Sequence, residues 1–90
     1  MNKVIITVVG NDTVGIIASI CTYLADNNIN ILDISQTIVH GYFNMMMVVD
    51  IAKAEKAMND IFDDLKAKGE QIGVKVQCQS EEIFDMMHRI

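Results

Sequence analysis

The chain has 90 residues, of which 51% are hydrophobic, and a formal charge of −5. That length fits one domain, and that apolar content leaves no support for disorder. Its seven Lys and Arg are scattered rather than clustered, so no electrostatic surface for nucleic acid is present.

The pattern predicts one domain over residues 1–90, with a core over 1–79 and a helical tail over 80–90. Strand one is expected over residues 3–9, apolar on both faces except at Thr7, as in a central strand. The β run stops at Gly10, and a polar turn leads to Gly15. Helix one follows over residues 14–26, with Ile16, Ile17, Ile20, Cys21 and Leu24 at helical spacing. Asp12 or Thr13 suits its N-cap, and Asn27 and Asn28 suit its end. This strand–loop–helix junction leaves backbone N–H groups at a helix N-terminus, where a carboxylate is favoured. With no catalytic dyad, metal cluster or phosphate-loop lysine beside it, the loop indicates a binding module rather than an enzyme.

Strand two is expected over residues 30–40. Simple alternation places Leu32, Ile34 and Ile38 on one face and Ile31, Asp33, Ser35, Thr37 and Val39 on the other. A half-polar face suits a sheet edge. His40 and Gly41 form a turn into strand three, residues 42–51, apolar on both faces. Alternation sends Met46 away from Met45 and Met47, so the three methionines cannot converge on a soft metal. Helix two is expected over residues 54–68, with Ala54, Met58, Ile61 and Leu65 as its stripe and Gly69 at its C′ position. Strand four, residues 72–79, points Ile72, Val74, Val76 and Cys78 one way and polar residues the other. A short helix over residues 80–88 has Ser80 as cap, Glu81 and Glu82 in its first turn, and Ile83, Phe84 and Met87 as an apolar face.

The order β-α-β-β-α-β plus a tail is the ferredoxin-like split unit. This α+β fold has one antiparallel sheet, strand order 4-1-3-2, with two helices on one face. The two strands that are apolar on both faces fall in its two central positions, so pattern and topology agree.

The residues quoted so far carry a resemblance. Val8-Val9-Gly10-Asn11-Asp12-Thr13-Val14-Gly15-Ile16-Ile17, followed by Leu24-Ala25-Asp26-Asn27-Asn28-Ile29-Asn30-Ile31, resembles the ACT domain pattern. Ile34-Ser35-Gln36-Thr37 and Phe43-Asn44-Met45-Met46-Met47 are similar to small stand-alone bacterial ACT proteins. The resemblance implies a regulatory module that binds small ligands, usually amino acids, at an interface made by strand two and helix one. It implies a ligand set of Asn11, Asp12, Val14, Gly15, Ile16, Asn30 and Ile31. In that set Gly15 admits the ligand, the Ile16 N–H meets a carboxylate, and Asn11, Asp12 and Asn30 hold an ammonium or side chain. No effector domain is fused here, so an unidentified protein partner is the alternative route to an output.

Each of these residues has a plainer reading beside it. Gly15 serves a ligand or allows helix one to pack closely on the sheet. Asp12 binds an ammonium or caps the helix, and Asn30 is a contact or a turn residue. Acylphosphatase-like chemistry on this fold would need an arginine in the loop, and the only arginine is Arg89. A copper chaperone would need two cysteines in the first loop, whereas Cys21 and Cys78 fit buried apolar positions in a reducing cytoplasm. No metal, cofactor or membrane segment is expected. Ile31 and Val39 on strand two, with the tail face, point to a homodimer.

Overall fold

The computed structural model describes residues 2–11 and 15–87, without the side chain of Met87. Its elements are β1 (Lys3–Asn11), α1 (Ile16–Asp26), β2 (Asn30–Val39), β3 (Tyr42–Asp50), α2 (Met58–Ile72), β4 (Val74–Ser80) and α3 (Glu81–Met87). The strands form one antiparallel sheet in the order β2-β3-β1-β4, the expected ferredoxin-like topology. Val4, Ile6 and Val8 of β1 and Met45, Met47 and Val49 of β3 are 2% exposed or less. They pack with Ile16, Ile20 and Leu24 of α1 and Ile61 and Leu65 of α2. Full burial of such a side chain contributes about 1.5–3 kcal/mol, so this layer dominates stability. Met46 points to the opposite face, as alternation requires, and is exposed.

The two helices are tied together at one point. Tyr23 of α1 donates its hydroxyl to Asp64 Oδ2 of α2 at 2.6 Å, and Lys56 Nζ donates to the same oxygen at 2.7 Å. Lys56 also stands 5.9 Å from the Tyr23 ring centroid. These donors hold the Asp64 carboxyl below its usual range, Lys56 contributing most. Burial, and then the bond to Asp64, push the Tyr23 hydroxyl up.

Several boundaries differ from the sequence reading. β1 continues through Gly10 to Asn11, pairing Gly10 with both Phe43 and Val74. A Cβ at Gly10 would stand 2.7 Å from Val74 Cγ1, so this glycine permits close strand packing and does not end the strand. α1 starts at Ile16, with Gly15 as N-cap and no side-chain cap bond. Asp12, Thr13 and Val14 lie outside the described residues. α2 is displaced toward the C-terminus: Ala54 packs on the core from a loop, and Gly69 lies inside the helix. Gly69 is there because α2 presses on β4, and Gly73, at φ 78°, is the left-handed residue that ends the helix. Ile72 consequently belongs to α2, while Val74, Val76 and Cys78 keep their inward alternation.

β2 carries a bulge at Leu32: Ile31 pairs with Val49, yet Asp33 pairs with Val48. The extra residue moves Ile31 to the helix-bearing face with Ile34 and Ile38, whose partners are the buried Met47 and Phe43. The grouping of Ile31 with Val39 is therefore incorrect. Asn28 at φ 57° ends α1 as expected, and His40 (φ 53°) with Gly41 (φ 81°) makes the hairpin turn with two positive φ angles. In the tail, Ser80 Oγ caps α3 by accepting the Ile83 N–H at 3.3 Å. α3 packs against β1 and β4 with Phe84 half-buried, but Ile83 is exposed, contrary to the expected apolar face.

Candidate ligand site at the two ends of the sheet

β1 and β2 each pair antiparallel with β3, so they run parallel to one another. Lys3 and Asn30 are both level with Asp50, and Asn11 and Val39 are both level with Tyr42. Asn11 is eight residues beyond Lys3, which at about 3.3 Å per residue is roughly 26 Å. The expected site residues thus separate. Asn11, Gly15 and Ile16 stand at one end of the sheet, and Asn30 and Ile31 at the other. Asp12 and Val14 fall in the segment that is not described.

At the first end, Gly15 adopts φ 90° and ψ 0°, a conformation that side chains resist. A Cβ built there meets no atom of the described residues within 4 Å. No described residue of the sheet stands close enough for the packing reading of Gly15, and the glycine answers to a backbone angle. Its carbonyl accepts the Ser19 N–H at 2.8 Å, so the helix starts here. The first-turn N–H groups lack intrahelical acceptors, and no acidic residue sits in that turn to offset the positive end of the dipole. The Ile16 side chain is 2% exposed and belongs to the core, which leaves its backbone N–H as its means of contact. A groove of about 390 Å³, lined by Ile17, Gln36, Thr37, Ile38 and Phe43, adjoins this first turn. Ile17 and Gln36 were not anticipated as site residues. Gln36 pairs with Met45 among the apolar residues of the helix-bearing face, and a lone polar residue in that row was the available signal.

At the second end, Asn30 lines a cleft of about 600 Å³ with Ala25, Asn28, Ile29, Asp50 and Lys53. Asp50 Oδ1 accepts the backbone N–H of Ala52 at 3.0 Å and of Asn2 at 3.1 Å. The Ala52 bond, above all, and then the Asn2 bond hold the Asp50 carboxyl below its usual range. Between the two ends runs β2, and every one of its ten residues is exposed. Ile31, Ile34 and Ile38, with Ile17 of α1, make that edge apolar.

Among the described residues no group of three His, Cys, Asp or Glu could hold a metal. Cys21 and Cys78 are free, and burial pushes the Cys78 thiol up to about 12, away from nucleophilic reactivity. Among the same residues no helix is long and apolar enough to cross a membrane.

Comparison with known proteins agrees with this architecture. The ACT domain family model matches residues 2–79. A UPF0237 protein of Bifidobacterium longum is 62% identical over 90 residues, covering all of both chains. Among solved structures, an ACT domain protein from Streptococcus pneumoniae superposes with a TM-score of 0.81 at 39% identity, over 93% of this chain and 94% of that one. A putative glycine cleavage system transcriptional repressor superposes at 0.75 with 18% identity, over 88% of this chain and 45% of that one, and shows likeness of fold alone.

Proposed function

Because the chain belongs to the ACT domain family, we propose that it is a regulatory module that binds an amino acid or related small metabolite, acting as a homodimer joined along β2 and α1. The observation that carries this reading is the exposed β2 edge, which lies between two half-sites that one chain holds apart. A two-fold axis pairing β2 with the partner's β2 runs the two strands antiparallel. The Asn30 end of each protomer then lies toward the Val39 end of the other. That end carries the partner's Asn11, Gly15 and Ile16. Dimerisation is thus the step that brings the expected ligand set together.

The edge is apolar as well as exposed: Ile31, Ile34 and Ile38 of β2 and Ile17 of α1 are each 37% exposed or more, which supports pairing. In this reading the ligand's carboxylate meets the Gly15 and Ile16 N–H groups of one protomer. The helix dipole contributes about 0.3–1 kcal/mol, so charge-assisted hydrogen bonds must supply most of the affinity. The module catalyses nothing itself. Free Cys21 and Cys78 suit a reducing, cytoplasmic setting.

A thermal-shift screen of the twenty amino acids and common folates tests the reading. A specific ligand at 100 times its Kd adds about 2.7 kcal/mol of stability. Gly15→Asn should abolish that gain, since Asn tolerates positive φ and sets a side chain beside the Gly15 and Ile16 N–H groups. Valine there would strain the backbone as well and confuse the result. If none of the compounds stabilises the protein, the second reading takes its place: an adaptor that works by protein contact alone. The observation favouring that reading is the helix-free face, where Val9, Val39, Tyr42 and Met46 are all exposed.

A further inference from the structure

We propose that the cleft between the end of α1 and the end of β3 reads the charges of a free α-amino acid, with Asp50 taking its ammonium group and Lys53 its carboxylate. This rests on the reading that the ligand is amino-acid-like, and it adds two residues that the family resemblance did not supply. The cleft of about 600 Å³ lies within the roughly 300–1,000 Å³ of small-molecule sites. It presents one carboxylate, one ammonium and the carboxamides of Asn28 and Asn30, the complement of a zwitterion. Asp50 and Lys53 share this cleft without pairing with each other; the ion pairs among the described residues are Lys3–Glu81 and Lys56–Asp64. Both backbone hydrogen bonds to Asp50 fall on Oδ1, which fixes the carboxylate in place. Ala25 and Asn28 bring the C-terminal end of α1 to the cleft, and its last turn has no basic residue to offset the negative dipole. A ligand ammonium is favoured at that end.

The charges also fit the proposed dimer. A carboxylate held by Lys53 would lie toward the partner's α1 N-terminus, where the partner's Gly15 and Ile16 N–H groups are available to the same group. The cleft supplies both charge partners from one protomer, and the partner completes the carboxylate's shell.

Calorimetric titration of wild type, Asp50→Asn and Lys53→Gln with the twenty free amino acids is the test. It is extended with the amide and the N-acetyl derivative of whichever amino acid binds. Asn at position 50 keeps an acceptor for the Asn2 and Ala52 N–H groups, and Lys53 is exposed, so both variants should fold. Circular dichroism checks that they do. Each substitution should weaken binding of the free amino acid by about tenfold or more. The N-acetyl form should be insensitive to Asp50→Asn, and the amide insensitive to Lys53→Gln, because the matched charge is already missing. Amino-acid binding that survives both substitutions but is lost in Gly15→Asn overturns this assignment and leaves the regulatory reading standing. Wild type that binds no amino acid overturns both.

Discussion

Replacing Gly69 by alanine should destabilise the protein, although the same change inside an ordinary helix does the opposite. Alanine is favoured over glycine in a helix interior by about 1 kcal/mol. At Gly69, however, the new Cβ would stand 2.6 Å from Val76 Cγ2 and 2.9 Å from the Val74 carbonyl oxygen. Val76 is β-branched and 8% exposed, so its side chain has little room to turn away. The Val74 oxygen belongs to a strand already paired with β1, so it moves only if β4 moves. Overpacking of this kind costs about 1–3 kcal/mol. Subtracting the propensity gain leaves a net loss of about 1 kcal/mol, or roughly 4–8 °C in Tm for a domain of this size. Thermal and urea melts at matched protein concentration measure it. Ala67→Gly, at an exposed position of the same helix, serves as the control and should cost about 1 kcal/mol by propensity alone. A Gly69→Ala protein that melts above wild type would refute the claim that α2 and β4 touch through this glycine.

The Tyr23–Asp64 bond predicts an alkaline weakness. Tyr23 is raised above its ordinary value of 10.0, so its contribution is full below pH 10 and is lost as pH rises further. Urea stability of wild type should therefore fall more steeply above pH 10 than that of Tyr23→Phe, and parallel curves would contradict this. Asp64 is shifted the other way, so its contribution holds above about pH 3.8 and is lost as pH falls below that. Lys56→Gln should reduce this acid sensitivity in the same titration. The Cys78 thiol, raised to about 12 by burial, should react with a disulfide reagent at neutral pH far more slowly in the folded protein than in urea.

Much of the fold was legible because burial and topology make the same demand. β1 and β3 carry the most apolar strand sequences, and the two central positions bury their helix-facing rows, Val4, Ile6 and Val8 with Met45, Met47 and Val49, most fully. The bulge at Leu32 was not legible. A single extra residue leaves no turn signal, yet it transfers Ile31 to the other face. Gly69 misled because glycine has two uses in helices, ending them and letting them approach a neighbour, and the sequence does not say which applies. Near the candidate site, the start of α1 close to Gly15 could be read from the strand–loop–helix spacing. The separation of Asn30 from them followed from strand direction. α1 returns the chain along the whole length of the sheet, so β1 and β2 begin at the same end. Asp50 and Lys53 gave no local motif, since the cleft that unites them with Asn30 is made by sheet pairing.

Pairing along β2 is what would join the two half-sites, and light scattering on wild type and Ile34→Lys tests it most directly. Ile34 is 43% exposed on the helix side of β2, so a lysine there disturbs the edge without entering the core. At tens of micromolar, wild type should scatter as twice the chain mass of 10.1 kDa, and Ile34→Lys as a single chain with an unchanged circular dichroism spectrum. A monomeric wild type, or a variant that remains dimeric, would contradict the account.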